Sequence, residues 1–332
     1  MGDFLLTTRQ AAELLGIHAS SVKRWCNADL LACEQTEGGH RRIRLHELLR
    51  FARTENHPCI LFDFAPDEAA VWEGIEAARR GEGFGRLVGL LYGWLELSER
   101  ERPERLLLFL LEMGFAPEQV FDELLGPVMH RVGASWADGV LTVGDEHRMT
   151  QALRDALLMA YISRRARRAP GQTTNEAAGT AIVGCAPGDD HEMGALMARF
   201  LLGERGWKVI YLGANVPVED FVIQQVRHEA SLIAIAMTPP HGPAEALAHV
   251  RTLARLYEPS HPCRLVLGGR LLGGLSPELP ETPFPEVRAF DSMLAFSDWL
   301  DQLVHVSIPP KALACALSDL PLLLPRTCAA GL

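Results

Sequence analysis

Nowhere in the 332 residues does an uninterrupted apolar run approach the ~18–20 residues that a membrane helix needs, so no membrane-spanning helix is expected. The opening Met1-Gly2-Asp3-Phe4 carries no basic stretch followed by an apolar one, so no secretory leader is expected either. Cysteine is sparse. The seven residues, Cys26, Cys33, Cys59, Cys185, Cys263, Cys315 and Cys328, are scattered without a C-x-x-C pair, which excludes zinc-ribbon spacing and a disulfide scaffold and suits reduced thiols in a cytoplasm. No internal repeat is present. Basic residues are outnumbered, 32 Lys and Arg against 42 Asp and Glu, and the net charge of −10 excludes a protein that coats nucleic acid with its whole surface. What is plentiful is apolar: 48% of the chain, with 22% charged, enough for packed cores in two or three domains of about 100–150 residues.

The charge is unevenly spread. Residues 1–54 hold eight basic and six acidic residues, net +2, and the remainder carries −12. Residues 66–168 are rich in Leu, Ala, Glu and Arg at helical spacing, with Pro103 and Pro117 near helix starts. Residues 169–179 have linker composition. From 180 onward short apolar runs (180–186, 208–212, 232–238, 264–267 and a weaker one near 287–290) alternate with helical stretches, which predicts a parallel sheet covered on both faces. The proline-punctuated tail 305–332 takes no assigned role. The expected domains are therefore 1–56, 66–168 and 180–304.

Thr7-Thr8-Arg9-Gln10-Ala11-Ala12-Glu13-Leu14-Leu15 reads as a capped helix with Ala11, Leu14 and Leu15 on one face, and Gly16 supplies a turn. A second helix begins at Ser20-Ser21-Val22-Lys23-Arg24-Trp25, with Ser20, Ser21, Lys23 and Arg24 as candidate groove-facing residues and Trp25 closing a small core. Gly38-Gly39-His40-Arg41-Arg42-Ile43-Arg44 then gives a turn and a basic strand, the shape of a wing whose His40, Arg41 and Arg42 approach phosphates. Over about residues 4–53 this resembles the winged helix-turn-helix of the MerR/excisionase type, which implies double-stranded DNA as partner.

The run Ala181-Ile182-Val183-Gly184-Cys185 leads into Ala186-Pro187-Gly188-Asp189-Asp190-His191-Glu192-Met193-Gly194. Ligands of open parallel sheets bind beyond the carboxyl ends of strands, where this loop falls. Asp189 is placed to accept a hydrogen bond from the imidazole nitrogen of His191 that does not face a metal. Asp189-x-His191-x-x-Gly194 resembles the corrinoid-binding motif of the methionine-synthase and mutase type, in which the histidine is the lower axial cobalt ligand. Gly268-Gly269 stands where that family has a paired glycine beside the nucleotide tail. Ala236-Met237-Thr238 stands where it often has Ser-x-Leu, which leaves Thr238 as substitute donor to the tail base.

Trp136-Ala137-Asp138-Gly139 reads as a helix end, and Thr142-Val143-Gly144-Asp145 as the cap of the next helix, with Glu146 and His147 in its first turn. Trp136-x9-Glu146-His147 resembles the signature of CarH/LitR-like photoreceptor repressors, in which the tryptophan and glutamate enclose the adenosyl group on the upper face of cobalamin. That resemblance spans about residues 4–304. It implies a MerR-type head, a four-helix bundle with Trp136, Val143, Glu146 and His147 over the cofactor, and an α/β Rossmann-like (flavodoxin-like) domain. It further implies a cytoplasmic homo-oligomer, dimer or tetramer, that acts as a light-responsive transcriptional regulator with adenosylcobalamin as chromophore and has no enzymatic activity. Several members have a histidine directly after the tryptophan that captures cobalt after photolysis. Here that position is Ala137, so His147, His130 or water takes its place, or the protein senses cobalamin or a bilin differently. A corrinoid methyltransferase or mutase component is the rival from another class, and no substrate domain of adequate length remains for it.

Overall fold

The computed structural model describes residues 4–167, 178–239, 241–273, 275 and 280–303. The tail 305–332 and most of the expected linker lie outside them. The chain opens with β1 (Leu5–Thr7), α1 (Thr8–Leu14), α2 (Ala19–Asn27), β2 (Glu34–Gln35), β3 (Arg41–Arg44) and α3 (Leu45–Thr54). Thr7 starts α1 through a capping box: its hydroxyl accepts the Gln10 N–H at 3.2 Å while the Gln10 side-chain oxygen accepts the Thr7 N–H at 2.8 Å. The three strands pair antiparallel in the order β1-β3-β2, so the basic strand is the centre of a wing. Trp25 closes the core as expected, its ring 4.9 Å from that of Phe51 and 4.8 Å from that of His57.

A 3-10 turn (Ile60–Phe64) leads to α4 (Glu68–Arg79), on which the first module rests: Gln10 donates to Glu76 at 3.1 Å, Arg79 lies 3.5 Å from Glu13, and Arg53 pairs with Glu68. Then come α5 (Gly85–Glu96), α6 (Glu101–Glu112), α7 (Pro117–Val120), a π turn (Phe121–Leu125), α8 (Gly126–Ala137) and α9 (Val143–Ala166). The long helices α5, α6, α8 and α9 pack as the four-helix bundle, with α4 against α5.

The last part is β4 (Thr180–Cys185), α10 (Met193–Glu204), β5 (Lys208–Gly213), α11 (Val218–Arg227), β6 (Leu232–Ala236), α12 (Pro243–Leu256), β7 (Arg264–Gly268), β8 (Val287–Phe290) and α13 (Met293–Leu303). Its five strands are all parallel in the order β5-β4-β6-β7-β8, the flavodoxin-like winding, so the order in which strands are added reverses between β4 and β6 and leaves a crevice at their carboxyl ends. Alternate strand residues go to opposite faces. One face sends Ile182, Ile233, Ile235, Leu265 and Leu267 against α11 and α12. The other presents Ala181, Val183, Ala234, Ala236 and Val266 toward α10, α13 and the bundle. The bundle-facing side is thus built from smaller residues. That leaves room between the layers.

Polar links among the described residues tie bundle to sheet domain. Arg164 of α9 pairs with Glu204 at 2.6 Å and Arg154 with Glu192 at 3.2 Å. The Ser297 hydroxyl donates to Glu118 at 2.8 Å. The Asp122 carboxylate accepts the backbone N–H groups of Met293 (2.9 Å) and Leu294 (2.8 Å) at the start of α13.

Candidate functional site

Beyond β4 the chain turns on Gly188, whose φ of +77° favours glycine. Its N–H donates to the Asn215 side chain at 2.7 Å, and the Asn215 N–H returns to the Asp189 carbonyl at 2.9 Å, which fixes the loop against the end of β5. Asp189 is 1% exposed. Its carboxylate accepts the His191 N–H at 2.9 Å, the Thr238 N–H at 2.6 Å and the Thr238 hydroxyl at 2.6 Å, and lies 3.0 Å from His191 Nδ1. A carboxylate that accepts from Nδ1–H leaves Nε2 as the ring nitrogen open to a ligand. The His191 side chain is 64% exposed. Burial, then the nearby Asp189, pushes the Cys185 thiol up to about 12, so it stays a thiol and donates weakly to the His191 carbonyl at 3.7 Å.

Above the crevice lies a cavity of about 670 Å³. One wall is a single face of α8: Gly126, Met129, His130, Gly133, Ala134 and Ala137 recur at helical spacing. The opposite wall includes Gly194, Ala234, Ala236, Thr238, Gly268 and Gly269. A Cβ on Gly269 would lie 2.2 Å from the Met237 carbonyl oxygen, whereas one on Gly268 would meet nothing within 4 Å. The lining is mainly apolar.

Of the residues singled out in the sequence, His130, Gly194, Thr238, Gly268 and Gly269 come together on this cavity. Asp189 and His191 stand on the adjoining loop rather than in its lining. Thr238 corrects one expectation: its hydroxyl proton goes to Asp189, so it is no free donor to a tail base and instead braces the carboxylate behind His191. Trp136, Val143, Glu146 and His147 lie outside the lining, at the α8–α9 turn. Trp136 is 49% exposed, because one residue from Ala137 is a 100° rotation around the helix. Thr142 and Asp145 form the expected capping box, and Gly139 ends α8 with φ +72°. Glu146 accepts the Thr150 hydroxyl at 2.8 Å, with His147 Nε2 3.5 Å from its other oxygen. In the first module Ser20, Lys23, Arg24 and His40 are exposed and Ser21 is half-buried. Arg41 donates to Asn27 at the end of α2, and Arg42 to the Arg41 carbonyl at 3.3 Å, so both wing arginines already have protein partners.

Asp122 and Glu192 were not legible. Asp122 caps α13 from 171 residues away, so no local spacing marks it. Its position in a π turn on the cavity wall is one where such turns are often found functional. Replacing Asp122 by alanine removes the acceptor for two N–H groups and is expected to cost about 0.5–2 kcal/mol, in the range of a helix N-cap. Asp122→Asn, which keeps one acceptor oxygen, should lose less. Chemical denaturation of the full chain checks both.

Comparison with known proteins matches a helix-turn-helix domain over residues 5–56, a B12 binding domain over 179–279 and a further B12 binding domain over 99–160. The HTH-type transcriptional repressor CarH of Myxococcus xanthus is 26% identical over 223 residues, 63% of this chain and 71% of that protein. Among solved structures, the monomethylamine corrinoid protein of Methanosarcina barkeri aligns with TM-score 0.49 and 15% identity over 64% of this chain and 96% of its own. A cobalamin-binding protein from Desulfitobacterium hafniense aligns with TM-score 0.32 and 13% identity over 70% and 96%.

Proposed function

We propose that this chain, which fits a CarH-like cobalamin-binding transcriptional regulator, is a light-responsive repressor with adenosylcobalamin as chromophore. The observation that carries the reading is the pairing of His191, braced by Asp189 and Thr238, with a neighbouring cavity walled by glycines and alanines, in a chain that begins with a helix-turn-helix domain. The residues fit the group. A neutral imidazole with its second nitrogen tied to a buried carboxylate is a strong metal donor. Gly268, where a Cβ would enter open space, leaves room for a bulky tail beside the carboxyl ends of the strands.

When bound, adenosylcobalamin supplies a light-labile cobalt–carbon bond. His191 Nε2 would hold the cobalt from below, with Gly194, Gly268 and Gly269 beside the tail. Trp136, Val143 and Glu146 would roof the adenosyl group, the indole by its apolar face and the carboxylate by accepting hydroxyl hydrogens. For the open position after adenosyl loss, His130 is better supported than His147. It shares the α8 cavity face with Ala137, two helical turns away, whereas His147 lies outside the cavity lining at the α8–α9 turn. In the dark the roofed site would clamp the bundle on the sheet domain and favour an assembly that offers several helix-turn-helix heads to double-stranded DNA together. Ser20, Ser21, Lys23 and Arg24 would enter the groove. Among the described residues no helix is long and apolar enough to cross a membrane, and a cytoplasmic setting suits the reading.

The test loads the full chain with adenosylcobalamin in darkness. Its mass by light scattering, and its affinity for a duplex selected from a random library, are measured before and after green illumination. A larger dark mass and tighter dark binding are expected, both lost on illumination; constancy of both overturns the light-responsive reading. Ala137 favours one second reading, a sensor of cobalamin or a bilin without a histidine-capped light state. It predicts that His130→Ala leaves the illuminated spectrum unchanged.

A further inference from the structure

The loop carrying His191 is pinned from two sides by different parts of the molecule. On one side Asp189 is held by Thr238 at the end of β6, within the sheet domain. On the other, Glu192, the residue directly after His191, accepts the Tyr211 hydroxyl from β5 at 2.9 Å and pairs with Arg154 of the bundle helix α9 at 3.2 Å. Burial and the Glu192 charge hold the Tyr211 phenol above its ordinary value, so it remains a donor. The Glu192 side chain is 21% exposed and that of Arg154 35%, with Arg154 Nε buried and lacking a hydrogen-bond partner among the described residues. The guanidinium therefore enters this seam with one nitrogen unsatisfied, a cost that its contact with Glu192 must offset.

The helix that supplies Arg154 also supplies Glu146. α9 runs unbroken for 24 residues, and eight residues separate the two, about 12 Å at 1.5 Å per residue. One rigid rod thus bears the carboxylate assigned to the upper cap and the cation that grips the neighbour of the lower histidine.

We infer that Arg154 and Glu192 are a positioning pair that sets the His191 loop according to the placement of α9. The inference rests on the cobalamin reading and deepens it. Glu192 stands at the N-terminal boundary of α10, where its carboxylate also favours the helix dipole, so movement of its side chain shifts the backbone on which His191 sits. With α9 docked, the loop is fixed at both Asp189 and Glu192. With α9 displaced, the anchors inside the sheet domain (Asp189, Asn215 and Tyr211) remain but the bundle's hold on Glu192 is gone, and the imidazole is less firmly aimed.

The experiment uses the full chain labelled with ¹⁵N-histidine and loaded with cob(II)alamin. Electron paramagnetic resonance then distinguishes cobalt bound to histidine nitrogen from cobalt bound to the cofactor's own base. Arg154→Met and Glu192→Gln are each expected to lower the ratio of histidine-bound to histidine-free cobalt about tenfold, between the effects of an exposed and a buried ion pair. Arg154→Lys, which keeps the charge, should restore most of it. Combining Arg154→Met with Glu192→Gln should cost no more than either alone. Glu192→Gln keeps an acceptor for Tyr211 and its volume, which guards against simple misfolding. Wild-type ratios in both variants, whatever happens to their melting temperatures, overturn the positioning role. Absence of histidine-bound cobalt in the wild type itself would instead overturn the cobalamin reading.

Discussion

Replacing His191 with alanine is expected to weaken cobalamin retention by at least about 100-fold, since even a partner behind a metal-bound histidine commonly contributes 10–100-fold. The protein itself should stay folded. The side chain is largely exposed and packs in no core, so its removal leaves neither a cavity nor a buried orphan other than one released Asp189 oxygen, which still accepts from Thr238 and the backbone. Asp189→Asn is the informative companion. An amide can still accept from Thr238, but it no longer compels the proton onto Nδ1, so a loss of about 10–100-fold in affinity is expected with the lower ligand spectrally altered. Equilibrium dialysis against cobalamin in the dark, with absorption spectra of the retained fraction, measures both. Equal retention and an unchanged spectrum in His191→Ala would remove the basis of the cobalamin assignment.

Gly269→Ala should damage the fold and Gly268→Ala should not. At Gly269 the added carbon meets the Met237 carbonyl oxygen at 2.2 Å, and backbone cannot swing aside as a side chain can. Met237 is bound there because its N–H donates to the Gly268 carbonyl at 2.8 Å. Relief requires the ends of β6 and β7 to part. An overpacking cost of about 1–3 kcal/mol adds to roughly 0.5–1.5 kcal/mol for a lost hydrogen bond. For a domain of this size about 3 kcal/mol lowers Tm by roughly 6–12 °C. At Gly268 the same methyl enters open space on the cavity side, so the apo melting temperature should hold while cofactor binding weakens. Scanning calorimetry of both apo variants separates the two. Equal melting temperatures would show that the strand ends yield more readily than their pairing indicates.

The sequence made the layers legible because each part has its own period. Continuous apolar runs marked all five strands of the sheet, and helical spacing marked the bundle; the observed strands differ from those runs only at their ends. The loop from Asp189 to Gly194 was readable because its chemistry is local, within six residues. What could not be read was whatever depends on one part meeting another. Asp122 and Glu118 act on α13, and Arg154 acts on Glu192, across more than 35 residues of chain, with no spacing to signal it. The cavity itself did leave a trace. Leu232-Ile233-Ala234-Ile235-Ala236 alternates large with small, a sign that one face of β6 faces a layer and the other faces space, but a continuous apolar run hides it from a simple strand assignment. The exposed Trp136 shows the opposite limit: a residue that its pattern marks out, yet which stands half exposed at the α8–α9 turn.

A single apolar core runs without interruption from Leu6 in the first module through Leu95 and Leu157 to Leu300 in the last helix. The first module is therefore joined to the body by packed apolar side chains as well as by its polar links to α4. In an assembly of such chains on double-stranded DNA, that shared packing would make the helical phase of two recognised sites matter alongside their separation.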